Sequence, residues 1–131
     1  MGVKYLWDTN TAIYYLQRQF PPAAEKMMDN LLKEFQPCIS VITEIELLCW
    51  KTPTQKDQEV LNNFINDALV IELERSIKLK TADIRKLHKI KLPDAIIADT
   101  AVVNGYTLLT RNVSDFKNIK GVNIVNLWEA I

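Results

Sequence analysis

One histidine and two cysteines are all the imidazole and thiol that these 131 residues contain. Cys38 and Cys49 have no CxxC spacing, and only His88 could add a nitrogen donor, so a zinc centre is not supported. Both thiols lie in apolar stretches and are expected to be buried and reduced. Net charge is missing too. Lys plus Arg and Asp plus Glu stand at 16 each, which gives no overall attraction for nucleic acid. No apolar run approaches the ~20 residues that span a bilayer, and Met1-Gly2-Val3-Lys4 leads into a strand rather than a secretory apolar region. Leu6 stands where N-myristoylation needs Ser or Thr. No membrane association is therefore expected, and the cytoplasm is the default compartment. Repeats, low-complexity tracts and linkers are also lacking. With 48% hydrophobic and 24% charged residues, 1–131 reads as one globular domain.

What is present centres on residues 92–116, LPDAIIADTAVVNGYTLLTRNVSDF. Pro93 opens a helix at its first position, Asp94 lies in the first turn, Asn104-Gly105 stops it, and Thr107 to Thr110 forms a short strand before a polar turn that ends at Asp115. The rest of the chain has the same alternation. Val3–Trp7 predicts a strand, followed by a helix that Thr9 or Asn10 caps, with Ile13, Leu16 and Phe20 on one face. Pro21-Pro22 opens a helix running to about Gln36, and 37–41 is a second strand. A helix from Ile42 or Thr43 to Trp50 has Ile42, Ile45, Leu48 and Cys49 as its apolar positions. Gln55–Ala68 predicts a helix with Val60, Leu61, Phe64 and Ile65 inward, then a strand at Leu69–Ile71. The helix from Glu74 to about Ile90 has Ile77, Leu79, Ala82, Ile84 and Leu87 apolar. Val122–Asn126 is a last strand before a Leu127–Ile131 tail. Alternating strands and helices imply an α/β fold with a parallel sheet of about five strands covered on both faces, whose ligands bind at the carboxyl ends of strands where strand order reverses.

Asp8, Glu46 and Asp115 each follow a strand, and Asp94 opens a helix that can aim its N-terminus at the same crevice. Each also has a structural explanation. Asp94 suits the helix dipole, Thr43 and Glu46 form a Thr-x-x-Glu capping box, and Asp8 and Asp115 can stabilise turns. Converging carboxylates repel unless a cation neutralises them, and all-oxygen donors favour Mg²⁺ or Mn²⁺. Glu44 lies roughly 200° from Glu46 around a helix, and Asp99 roughly 140° from Asp94, so neither joins its neighbour on one face. The basic run Arg75, Lys78, Lys80, Arg85, Lys86, Lys89 and Lys91 is either a solvated helix face or a phosphate-attracting rim.

The segments YLWDTN at 5–10, SVITEIELL at 40–48, LPDAIIADTAVVNG at 92–105 and LLTRNVSDF at 108–116 together resemble PIN-domain ribonucleases, and within them the toxins of VapBC-type toxin–antitoxin pairs. The resemblance implies a three-layer α/β/α fold. It also implies a Mg²⁺- or Mn²⁺-dependent endoribonuclease in which water attacks an RNA phosphodiester in line. It selects Asp8, Glu46, Asp94 and Asp115 as catalytic, metal-binding acids, with Asn10, Thr110 and Asn112 as supporting polar groups. It further implies a homodimer and a small antitoxin partner. Arg111, Arg85, Lys86 and Lys89 are candidates for RNA contacts. Cys49-Trp50 departs from the small residue or Gly common there, and Asp99 from the usual Ala. Two alternatives are a receiver-like phosphoacceptor and a catalytically idle interaction domain. The first wants an acidic pair after the first strand, where this chain has Thr9-Asn10. The second is disfavoured by the full set of four acids.

Overall fold

The computed structural model describes residues 2–129, so the Ala130-Ile131 end of the expected tail and Met1 lie outside the described residues. The strands are β1 (Tyr5–Trp7), β2 (Cys38–Ser40), β3 (Leu69–Ile71), β4 (Thr107–Leu109) and β5 (Ile124–Val125). They form one sheet in the order β3-β2-β1-β4-β5, with every pairing parallel. The helices are α1 (Thr9–Leu16), α2 (Pro22–Glu34), α3 (Val41–Cys49), α4 (Gln55–Asp67), α5 (Arg75–Leu87), α6 (Leu92–Asn104) and the single turn α7 (Val113–Phe116).

Three adjacent residue pairs explain the layering. Successive strand side chains point to opposite faces. Trp7, Ile39 and Leu109 therefore enter one core with Ala12, Met28, Leu47, Leu61 and Phe64, while Leu6, Cys38 and Leu108 enter the other with Ile84, Ile97, Ala101 and Phe116. The chain moves outward from β1 to β3 with α1 to α4 on the first face. It then returns through α5 and α6 to β4 and β5 on the second. Right-handed crossovers require this change of face when the direction of travel reverses. The reversal lies between β1 and β4, and it places a crevice at their carboxyl ends.

The helix boundaries correct several sequence expectations. α1 is capped by Asp8, whose side chain accepts from the Thr11 N–H, and not by Thr9 or Asn10. Phe20 lies beyond α1, although it is buried. α3 starts at Val41 with Ser40 as its cap, so Thr43 is inside the helix and the Thr43–Glu46 capping box does not form. Its buried face is Thr43 and Leu47, whereas Ile45, Leu48 and Cys49 are exposed. The expectation of two buried thiols thus holds for Cys38 alone, where burial pushes the thiol up to about 12. Val60, Leu79, Ala82 and Leu87 are exposed rather than inward. Pro93 is the second residue of α6, after Leu92. Gly105 ends α6 in the left-handed conformation (φ 70°), as its position past the last helical residue predicts.

α6 is buried continuously from Ala95 to Ala101, so a polar residue there cannot reach solvent. Asp99 is consequently fully buried against α5, where it accepts a hydrogen bond from the Thr81 hydroxyl (3.0 Å) through Oδ2 while Oδ1 has no partner. Burial holds its carboxyl above the usual range. A carboxyl raised in the folded state adds stability at low pH that is lost as pH rises through the folded value. Asp99→Asn, which keeps the shape without the charge, should therefore gain stability over the parent as pH rises from about 4 to neutrality. Urea unfolding at pH 4.5 and pH 7.5 tests this, and an advantage that stayed constant or shrank with pH would exclude it.

Candidate active site

The crevice at the β1/β4 carboxyl ends opens into a cavity of about 520 Å³ lined by Asp8, Glu46, Asp94 and Asp115, with Thr9, Asn10, Lys91 and Asn112 around them. The four acids come from four places: the end of β1, the middle of α3, the first turn of α6, and α7. Only the fold brings them together.

Asp8 is the most constrained. Its backbone N–H donates to the Leu109 carbonyl (3.1 Å) across the β1/β4 edge. Its Oδ1 accepts from the Thr11 N–H (2.8 Å) and its Oδ2 from the Thr110 hydroxyl (2.5 Å). The Thr110 oxygen in turn accepts from the Asn112 N–H (3.0 Å), which ties the turn after β4 to the same carboxylate. Burial pushes the Asp8 carboxyl up, the bonds from Thr11 and Thr110 hold it down, and Glu46 adds an upward push.

Glu46 is aimed by a residue that sequence reasoning treated only as a candidate cap. The Thr9 hydroxyl donates to Glu46 Oε1 (2.6 Å) and lies 3.1 Å from the Thr43 hydroxyl. A hydroxyl has one proton, so with the Thr9 proton on Glu46 the Thr43 hydroxyl must donate to Thr9. The resulting relay from Thr43 through Thr9 to Glu46 joins α1 to α3. Nothing local in the sequence signals it. Glu44 does not line the cavity, and Asp99 faces α5 instead.

The Asp94 carboxyl is raised, first by burial and then by Asp115, with Glu46 and Asp8 adding to it and Lys91 opposing them. The four carboxylates therefore sense one another electrostatically. Among the described residues, no three of His, Cys, Asp or Glu are gathered closely enough to form a metal-holding group. A cluster of like charges resists closer approach, and its donor chemistry, oxygen throughout, suits a hard divalent cation.

The remaining candidates divide. Asn10 and Asn112 line the cavity, and Thr110 stands behind Asp8. Lys89 and Lys91 line an adjoining cavity of about 350 Å³ that shares Lys91, Asp94 and Asp115 with the first. Arg85 is turned back onto its own loop, donating to the Ile90 carbonyl (3.1 Å). Lys86 flanks an apolar groove between α5 and α6 that contains none of the acids. Arg111 lies over the rings of Tyr14 and Trp128, 5.9 and 5.3 Å from their centroids, and does not line the acid cavity.

An all-parallel sheet with this crossover pattern and a carboxylate crevice at its switch point defines a doubly wound α/β architecture, which hosts many unrelated functions. The family follows from comparison. Residues 5–122 match the PIN domain, and the chain belongs to that family. It is 27% identical over 130 residues to the tRNA(fMet)-specific endonuclease VapC of Salmonella typhimurium, covering 93% of this chain and 96% of the relative. Among solved structures it is similar to DNA-bound VapBC from Salmonella typhimurium, with 25% identity, TM-score 0.80 and coverage of 95% of this chain and 98% of that one. It is also similar to a toxin–antitoxin complex from Klebsiella pneumoniae, with 28% identity, TM-score 0.76 and coverage of 96% and 99%. Family membership sets the receiver-like alternative aside.

Asp8 caps α1 besides lining the cavity, and substitution can isolate the cap. Asn caps helices about as well as Asp, whereas Ala loses about 0.5–2 kcal/mol at such a position. Asp8→Asn should therefore be more stable than Asp8→Ala by about that margin in urea unfolding. Equal stabilities would show that the cap contributes nothing.

Proposed function

We propose that the chain is a divalent-metal-dependent endoribonuclease, the toxin of a toxin–antitoxin pair, acting as one domain over 1–131 in the cytoplasm. The observation that carries this is the convergence of Asp8, Glu46, Asp94 and Asp115 on one open cavity at the sheet's switch point. Membership of the PIN domain family and similarity to a relative named as an endonuclease support it. An idle interaction domain would have no need to keep all four carboxylates on one wall against their mutual repulsion.

Asp8, Glu46, Asp94 and Asp115 would hold Mg²⁺ or Mn²⁺. Bound there, the cation lowers the pKa of water, polarises the phosphoryl oxygen and neutralises developing charge. The chain's own groups do the rest. Thr110 and the Thr11 N–H fix both oxygens of Asp8, and Thr9 fixes one oxygen of Glu46, so two of the carboxylates meet the substrate already oriented. The free oxygen of Glu46, or a carboxylate oxygen of Asp94, orients the attacking water in line with the leaving 3′ oxygen and takes its proton. Asn10 and Asn112, which line the cavity, would contact the phosphate or sugar, and Lys91 offsets charge beside Asp94. Transfer RNA, the substrate named for the Salmonella relative, is the first candidate substrate.

A small antitoxin and a second copy of the chain complete this reading. Ile45, Leu48, Leu79, Leu87 and Leu92 present apolar side chains to solvent at exposures of 48–78%, surface that such partners would cover.

Purified chain with Mg²⁺ or Mn²⁺ should cut cellular RNA at discrete sites, mapped as new 5′ ends. Chelation and Asp94→Asn should each abolish the cuts, and cuts surviving either would exclude the metal site. Thr9→Val, which releases Glu46 without removing a carboxylate, should lower activity or metal affinity by about 10- to 100-fold. For the cationic flank, Lys89→Ala should weaken RNA binding and flatten its salt dependence by about 0.7 per lost phosphate contact, while Lys86→Ala should change neither. Equal effects of the two in a salt titration would mean that the strand does not follow the Lys89 side.

A further inference from the structure

Adjoining the acid cavity at Trp50 lies a second cavity of about 670 Å³, lined also by Leu16, Arg18, Lys56, Asp57 and Val60. Trp50 is the one residue common to its wall and that of the acid cavity. The indole is half-buried and packs on the core that contains Trp7 and Leu47, and its backbone N–H is tied to the Leu47 carbonyl (3.2 Å). The residue thus borders both spaces. Beyond it, the end of α1 and the start of α4 supply two cations, Arg18 and Lys56. The single acid there, Asp57, is already engaged by the Thr54 hydroxyl (2.8 Å). Arg18 has a positive φ (55°), as the residue just past the cap of a helix commonly does.

The cavity containing His88, Lys89 and Lys91 shares no residue with the Trp50 cavity but joins the acid cavity through Lys91, Asp94 and Asp115. The acid cavity is thus continuous with each of two separate spaces, one balanced in charge between Lys89, Lys91 and the two aspartates, the other with Arg18 and Lys56 against Asp57 alone. An enzyme that cuts within a strand needs room for nucleotides on both sides of the scissile phosphate. A fixed aromatic plate next to cations is how single-stranded nucleic acid is held without base-specific contacts.

We infer that Trp50 is a base-stacking platform for single-stranded RNA, over which the substrate leaves the acid cavity, and that Arg18 and Lys56 hold its backbone in the cavity beyond. The inference rests on the ribonuclease reading above and assigns the path of its substrate on one side. It makes Trp50 a positioning residue for a nucleotide adjacent to the cut, and it implies a requirement for an unpaired base there, since a base already stacked in a duplex cannot also stack on the indole.

The test measures binding of a fluorescein-labelled single-stranded oligoribonucleotide to the full chain in Mg²⁺, with Asp94→Asn as the parent so that the strand stays intact. Trp50→Ala should weaken binding by about 5- to 150-fold, the range of one lost base–aromatic stack, while Trp50→Phe should retain most of it. RNA should quench part of the tryptophan emission of the parent, and that quenched part should be missing in Trp50→Phe, a signature that a purely structural role would not produce. Lys56→Ala should reduce the salt slope by about 0.7. If Trp50→Ala does not fold, the quenching in Trp50→Phe and the slope in Lys56→Ala decide the matter. Parental affinity in Trp50→Ala, or quenching unchanged in Trp50→Phe, overturns the inference. So does a result in which these substitutions loosen a protein partner and leave RNA binding intact. With Asp94 restored, RNA cleavage that is metal-dependent and indifferent to Trp50 and Lys56 sinks this inference alone, whereas absence of any cleavage sinks the ribonuclease reading itself.

Discussion

The Asp8 carboxylate is where strand pairing, helix start and site chemistry meet. Its backbone closes the β1/β4 edge through the Leu109 carbonyl, one oxygen starts α1, and the other receives the Thr110 hydroxyl from the end of β4. Burial, with the Glu46 charge, leaves its carboxyl above the usual range although the bonds from Thr11 and Thr110 oppose them. Charge-assisted bonds of this kind are stronger than neutral ones, so the switch point is pinned by the residue that also faces the cavity. The other three acids are then positioned relative to a fixed point. α3 is joined to α1 through Thr43, Thr9 and Glu46, and α6 brings Asp94 in from the opposite face of the sheet.

The sheet and the convergence of the acids were legible in the sequence because both depend on strand ends. A strand covered on both faces is apolar at every position, and Leu6-Trp7, Cys38-Ile39 and Leu108-Leu109 read that way; the structure splits each pair between the two cores. An acid directly after such a run must lie at the carboxyl edge wherever the strand sits. The inward face of α3 was not legible, and on α5 only Ile77 and Ile84 were. Periodicity assigned Ile45, Leu48, Leu79 and Leu87 to the core, but Thr43 and Thr81 are buried instead because each hydroxyl has a partner on another helix, Thr9 and Asp99. Those partners are 34 and 18 residues away, beyond the reach of any local pattern. Once a polar residue is satisfied inside, the apolar residues of the same helix are free to face outward, where a partner rather than the core can cover them.

Asp99 shows the same physics at a different balance. Its Oδ2 is satisfied by Thr81 and its Oδ1 is not, on a helix buried all round. An unpaired buried oxygen is unfavourable by an amount comparable to a hydrogen bond, and a buried charge by more. The site acids avoid this because each either carries bonds on both oxygens, as Asp8 does, or reaches the cavity, as Glu46, Asp94 and Asp115 do. The distinction between an acid that serves the cavity and one that merely burdens the fold therefore lies in solvent access and not in sequence neighbourhood, since Asp94 and Asp99 occupy one helix.

The balanced composition conceals local groups of cations. Sixteen positive and sixteen negative side chains cancel over the chain, yet Lys89 and Lys91 line one cavity that joins the acids and Arg18 and Lys56 line another. A polyanion crossing such a surface is attracted at both flanks and repelled at the centre, and at physiological ionic strength the screening length is about 8 Å, so neighbouring segments of one strand experience the two fields separately. The flanks can bind a strand that the centre would reject, and neutralising the centre then lowers the barrier only for the phosphate held there. On the reading proposed above, binding and cutting would fall to different charges. An overall net charge would have attracted nucleic acid to every face of the molecule alike. A net charge of zero leaves such attraction to local groups of cations.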